Sequence, residues 1–254
     1  MEFPQIIQGG MGIGISSWQL ARSVSLKGQI GIVSSTAIEL VLIRKLQMGD
    51  LGGHLRRAFK AFPDQSVIAR LLEKYFIEGG KSDDQLFLPK PMASEKMCWR
   101  LKELIIVANF TEVYLAKEGH EGLVGINFLH KIQSPLLPAL YGAMLANVDI
   151  VAVGAGIPLE IPKIIDGLCR GEEVTFTLHV QGTKNEHLLT FDPQTALSEV
   201  FTPTKRPLFF PIVSSVTLAT VMVKKCAGKV DGLIIEGPSA GGHNAPPRGA
   251  TKLN

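Results

Sequence analysis

The stretch Glu236-Gly237-Pro238-Ser239-Ala240-Gly241-Gly242-His243 carries the most specific chemistry in the chain. An apolar run ends in a carboxylate, small residues and a proline force a tight loop, and an imidazole follows. Gly241 and Gly242 let main chain approach a ligand closely and offer bare N–H groups to an anion or a carbonyl. His243 is then placed to exchange a proton near neutral pH. A second stretch, Gly9-Gly10-Met11-Gly12-Ile13-Gly14, follows Ile6-Ile7-Gln8 and precedes a helix. Its glycines miss the GxGxxG register, since the third glycine falls on Ser17. Ser34-Ser35 stands where a dinucleotide fold needs a ribose-binding acid. Two readings stay open: a plain turn requiring positive φ, or a main-chain ledge for a flat cofactor. A third candidate is Asn127, an amide inside the apolar run Gly125–Leu129. A buried amide left unpaired costs about 1–3 kcal/mol. Neighbouring backbone satisfies it, or it points into a mouth and bonds a heterocycle.

The remaining polar residues are less specific. His54, His120, His130, His179 and His187 fall on expected helix surfaces, loops or a hairpin. No HExxH or comparable spacing occurs, so no metal site is expected. Ser34-Ser35 and Ser214-Ser215 follow strands without a GxSxG elbow. Arg56-Arg57 and Lys224-Lys225 read as solvated helix faces. Cys98, Cys169 and Cys226 have no paired spacing and read as free thiols in a reducing compartment.

The elements that must position these residues alternate. Strands are expected at Ile6–Gln8, Gln29–Val33, Leu123–Leu129, Val148–Val153, Leu208–Val213 and Val230–Ile235. Helices are expected at Ser16–Leu26, Ala37–Gln47, Pro135–Asn147, Pro158–Leu168 and Val216–Ala227, with Ser16 or Ser17 as N-cap of the first. Val174–Val180 and His187–Phe191 alternate apolar and polar residues, which predicts an antiparallel hairpin within an excursion over 172–192. Residues 50–122 carry amphipathic helices near Leu51–Ala61, Val67–Glu78 and Ser94–Lys117 around an irregular Pro-containing piece. About 70 residues exceed an ordinary crossover, so this stretch reads as a helical insertion or lid after strand two. The six strands are nearly all apolar, as strands buried on both faces are. Each ends in small or polar residues, the pattern of strand ends converging on one mouth. That favours a TIM-type (β/α)8 barrel over a doubly wound sheet with one switch point.

Composition sets outer limits. The chain has 254 residues, 46% hydrophobic and 19% charged, with a net charge of +3. That excludes a disordered chain and gives no basis for a nucleic-acid partner. Met1-Glu2-Phe3-Pro4 lacks the pattern of a signal peptide, and no apolar run reaches about 18 residues. A cytoplasmic enzyme with no membrane partner is expected, in one domain over 1–254.

The sequence resembles the nitronate monooxygenase family, also called 2-nitropropane dioxygenases, which are FMN-dependent (β/α)8 barrels. The resemblance runs over nearly the whole chain and rests on Ile6-Ile7-Gln8-Gly9-Gly10-Met11, Gly125-Ile126-Asn127-Phe128 and Ile235–His243, the Ala240-Gly241-Gly242-His243 loop being most specific. Related FMN-dependent enoyl-acyl-carrier-protein reductases share that loop. The resemblance implies that Gly10, Met11, Gly12, Asn127, Glu236, Gly241 and Gly242 bind FMN. It implies that His243 is the base taking the proton α to a nitro group. Many members have proline in place of Gly10. Pro238-Ser239 and Asn244–Gly249 depart from the family pattern around the substrate.

The implied reaction is FMN-dependent oxidation of alkyl nitronates by molecular oxygen to carbonyl compounds and nitrite. The rivals are an NAD(P)H-dependent enoyl-thioester reductase on the same fold and a non-catalytic flavin-binding barrel. The assembly state is open, a homodimer included. About six of eight βα units are counted. Truncation at the C-terminus is therefore expected, with the phosphate-binding turns beyond Asn254.

Overall fold

Runs that are apolar on both faces become parallel strands, and runs with an apolar stripe become the helices that cover them. The computed structural model describes residues 4–94, 96–178, 182 and 187–241. Its strands are β1 (Gly31–Ser34), β2 (Val124–Leu129), β3 (Ile150–Gly154), β4 (Val174–Leu178), β5 (His187–Phe191), β6 (Leu208–Val213) and β7 (Ile234–Ile235). Its helices are α1 (Trp18–Ser25), α2 (Ile38–Gln47), α3 (His54–Phe59), α4 (Gln65–Tyr75), α5 (Trp99–Lys117), α6 (Leu136–Leu145), α7 (Ile161–Cys169) and α8 (Val216–Lys225).

β1, β2, β3, β6 and β7 form one sheet in that spatial order, every pair parallel. Ile7 adds a parallel bridge to Ile30, which puts residues 6–8 outside β1. Apart from the antiparallel β4–β5 hairpin, neighbours in the sheet are neighbours in sequence. The order never reverses, so these strands have no switch point of the doubly wound kind. The result is an α/β fold whose curled five-stranded sheet makes a half-barrel.

Register separates the two faces. Val33, Ile126, Val151 and Phe209 share a rung and are buried in the helix-side core. The next rung back, Ile32, Gly125 and Ile150, faces the other way. Ile32 and Ile150 join Ile30 in a smaller cluster edged by Leu123 and Phe210.

The stretch read as an insertion or lid over 50–122 divides. Its last helix, α5, is buried on nearly every side and packs on α1, α6, β1 and β2. A Cβ on Gly142 of α6 would lie 2.2 Å from the Ile106 carbonyl oxygen, so these two helices touch backbone to backbone. α5 is therefore a core helix of the β1-to-β2 crossover. An extended strap over 79–94 lies outside it, tied to α2 by Gln47, which accepts from Leu88 N–H, and by the ion pair of Lys90 with Glu39 at 3.0 Å.

The cap of α1 also differs from expectation. Ser17 occupies the N-cap, but its side chain makes no capping bond. The Trp18 N–H instead donates to Glu112 Oε1 of α5 at 2.7 Å, a cap supplied from 94 residues away. The strand expected over Val230–Ile235 is regular only at Ile234–Ile235.

Candidate functional site

Residues 6–8 start as an edge strand and then leave the sheet. Ile30 N–H donates to Ile6 O and Gln8 N–H to Ile30 O, two rungs of a parallel ladder. The next rung is made by a side chain, since Ile32 N–H donates to Gln8 Oε1 at 2.9 Å. Ser34 N–H goes to Ser16 O, after the chain has returned. Residues 9–15 thus bulge from the carboxyl end of the sheet onto its open face. Gly10, Gly12 and Gly14 all have positive φ there, +69°, +98° and +70°. At Gly10 the need for glycine is double. A Cβ would lie 2.4 Å from Ile32 Cγ2 and 3.0 Å from Asn127 Cβ.

Asn127 is the only buried amide on the open face of the described strands. It sits one rung above Ile32 on that face, between Ser34 of β1 and Ala152 of β3, and is 2% exposed. Its Nδ2 donates to Gly9 O at 2.7 Å. Its Oδ1 is sealed from solvent and has no donor among the described residues. The N–H groups of Gly10, Met11 and Gly12 likewise have no acceptor among the described residues. An unpaired acceptor and three unpaired donors therefore belong to packed neighbours, since Gly10 lies against Asn127. Gly10, Met11, Gly12 and Asn127 are brought together as one constellation.

Glu236 directly follows β7, at the same end of the sheet as Asn127 but three strands away from β2. Its N–H extends the ladder to Val213 O at 2.8 Å, and its Oε2 is buried without a partner among the described residues. Gly241 is exposed with nothing near the position of a Cβ. Gly242 and His243 lie outside the described residues.

Other polar groups at this end are less exposed to a ligand. His130, directly after β2, is buried; its ring meets Phe176 edge-on at 5.5 Å and fills the space beside Gly156. Ser35 Oγ donates to Asn109 Oδ1 at 2.7 Å beneath α2. The relay from Gln8 to Ser16 escaped sequence reasoning; a polar Gln beside the glycine run was its only signal. Among the described residues no group of histidine, cysteine, aspartate and glutamate could hold a metal ion, and no helix is long and apolar enough to cross a membrane.

The opposite end of the sheet is built differently. Asp149, just before β3, accepts from Val124 N–H at 2.9 Å and from Lys205 Nζ at 2.7 Å, and also pairs with Lys117. Burial pushes this carboxyl up, but the two lysines and the Val124 N–H outweigh it and hold it below the ordinary carboxylate range. Asp231, just before β7, repeats the device. Its Oδ2 accepts from Phe209 N–H at 3.0 Å and from Arg206 at 2.7 Å. Lys229 stands 2.7 Å from its Oδ1, an ionic contact without hydrogen-bond direction. Gln29 does the same uncharged, its Oε1 accepting from the N–H groups of Gln5 and Ile6.

The donor and acceptor set at the carboxyl end suits the ring of a flat heterocycle with an amide-like edge, and flavin is one such group. A side chain at Gly10 would fill the cradle. No family model matches this chain, and neither a curated protein nor a solved structure does.

Proposed function

We propose that the chain is a cytoplasmic FMN-dependent oxidoreductase that oxidises alkyl nitronates with molecular oxygen. In this reading the strands, with residues 6–8, are six consecutive units of a (β/α)8 barrel, and the open face is the barrel interior. The observation that carries it is Asn127: its Oδ1 is buried and unpaired, and its Cβ packs beside Gly10, where the family resemblance asks for the flavin ring. An unpaired buried acceptor costs about 1–3 kcal/mol, and a ligand N–H removes that cost.

Bound FMN would supply the redox chemistry between a nitronate and dioxygen. The chain's own part is position and proton transfer. Gly10, Met11 and Gly12 approach the ring with main chain. Asn127 Oδ1 would accept a hydrogen bond from the ring and orient it. Glu236 follows β7 at the carboxyl end of the sheet, and the family resemblance adds Gly241 and Gly242 to the same cofactor site. The His243 imidazole takes the proton from the carbon α to a nitro group, or donates a hydrogen bond to a substrate that is already anionic.

The first experiment is an absorbance spectrum of the purified chain before and after incubation with FMN, followed by anaerobic stopped flow. Reduction by nitronate supports the reading. Rapid reduction by NADH or NADPH, with none by nitronate, replaces it with enoyl-thioester reduction. FMN binding without either reaction leaves a flavin-binding barrel. His243→Asn then tests the base. The variant should lose about 10²–10⁴-fold with a neutral nitroalkane and far less with pre-formed nitronate. Equal losses on both substrates make His243 a binding residue instead.

A further inference from the structure

We propose that Gln8, acting through Ser16, is a positioning residue that sets the shape of the ring-facing ledge. The Gln8 side chain completes the strand ladder at the point where its main chain leaves it. Its Oε1 takes the Ile32 N–H, and its Nε2 donates to Ser16 Oγ at 3.0 Å. Nε2 can only donate, so the Ser16 hydroxyl must accept on that side and turn its own proton elsewhere. It donates to Met11 O. The carbonyl of Met11 is thereby held inward, and the carbonyl of Gly9 is held by Asn127 Nδ2. Two carbonyls pinned on either side of Gly10 fix the peptide planes between them, and so decide where the unpaired N–H groups of Gly10, Met11 and Gly12 point. Ser16 main chain anchors the far end of the loop, through Ser34 N–H to Ser16 O and Ser16 N–H to Gly12 O. Three glycines at positive φ have no stiffness of their own, so the clamp supplies it.

This assignment rests on the flavin reading for its ligand, but not for its geometry. Gln8→Glu keeps the acceptor for Ile32 and replaces the donor by an oxygen. The Ser16 hydroxyl would then turn toward the carboxylate and release Met11 O. Ser16→Ala removes the relay directly, and Ser16→Thr keeps it. Two readouts apply to the whole chain: FMN affinity from quenching of FMN fluorescence, and amide exchange in the ligand-free protein. Gln8→Glu and Ser16→Ala should each weaken FMN about fivefold, the worth of one net hydrogen bond. The double variant should be no weaker than either single, because both break one relay. Ser16→Thr should bind as wild type does. Exchange at the Ile15 and residue 16 amides, both donated to Gly12 O, should quicken, while the Ile32 amide stays protected in Gln8→Glu. Unchanged exchange at 15 and 16, or FMN affinities within twofold of wild type in both singles, overturns the assignment. Failure of the wild-type chain to bind both FMN and riboflavin, whose ring needs no phosphate-binding turns, overturns the flavin reading instead, and the exchange readout still decides whether Gln8 and Ser16 hold the ledge.

Discussion

The two ends of the sheet handle buried polar groups in opposite ways. At the amino ends, Asp149 and Asp231 each sit one short step before a strand and accept the first free N–H of the preceding strand, with cations completing the shell. Even Asp231 Oδ1, which has no hydrogen bond among the described residues, faces the Lys229 ammonium at 2.7 Å. At the carboxyl ends, Asn127 Oδ1 and Glu236 Oε2 are buried without partners among the described residues, and the adjoining loop is glycine at positive φ. Satisfied polar groups stabilise, whereas unsatisfied ones cost stability and persist where something else is recognised. The same parallel sheet thus places its ion-paired carboxylates at the amino ends, below, and its glycine loop, with the unpaired Asn127 Oδ1, at the carboxyl ends, above.

The sharpest way to break that comparison is to remove a clasp. Asp149→Ala leaves Lys117 and Lys205 without their partner and the Val124 N–H buried without an acceptor. Breaking a buried pair from one side costs about 3–5 kcal/mol. The discount for the half-exposed Lys205 brings the expectation to about 3 kcal/mol, read from urea unfolding. The sign against pH follows from the depressed carboxyl. Its stabilisation is full above the unfolded-state value near 3.9 and is lost as pH falls through the lower folded value. Asp149→Ala should therefore flatten the acid limb of stability. A wild-type unfolding midpoint in the variant would show that the clasp is ornamental.

Asn127 should behave in the reverse manner. Asn127→Ala loses the bond to Gly9 O, worth about 1 kcal/mol, but also deletes an acceptor whose burial unpaired costs a similar amount. Folding stability should change by less than about 1 kcal/mol, while FMN affinity falls about tenfold through loss of both the ring contact and the pinned Gly9 carbonyl. A large loss of stability with no change in FMN binding would make Asn127 a core amide and erase the difference between the two ends.

The upper end was the more legible in sequence. Asn127 stood out because a lone amide in Gly125–Leu129 breaks an apolar run, and Gly10 because glycines cluster after Ile6–Gln8. The doubly buried strands were legible for the same local reason, and the β4–β5 hairpin because its residues alternate. The lower end was not, because its partners are remote: Asp149 and Val124 are 25 residues apart, Asp231 and Phe209 are 22. A Val-Asp pair before a strand looks like any turn until the neighbouring strand is in place. α5 reads in sequence as part of an insertion or lid for a related reason. A helix buried all round has no polar stripe, so Ser94–Lys117 reads as a helix but its amphipathic reading, with one solvated face, is overturned. Gln8 was silent because its role depends on a strand ladder that its own side chain completes.

Glu112 offers the smallest expected effect and tests the comparison from a third place. It is a buried carboxyl, yet it serves the upper end, since α1 begins where the glycine loop returns and Trp18 N–H is its first amide. Burial pushes this carboxyl up. Lys45 and the Trp18 N–H pull it down, and burial prevails. The sign is opposite to that of Asp149. A carboxyl whose folded value is raised contributes most below its unfolded value near 4.3, and that contribution is lost as pH rises through the folded value. Glu112→Gln keeps an acceptor for Trp18 N–H and removes the charge. The variant should therefore be slightly more stable than wild type at pH 7, with the gain shrinking toward pH 4, while FMN affinity is unchanged because the α1 cap survives. Thermal unfolding of both proteins between pH 4 and pH 8 would read the divergence. Curves that stay parallel over that range would mean the charge on Glu112 is already compensated in the fold, and that this carboxylate belongs with the satisfied groups of the lower end.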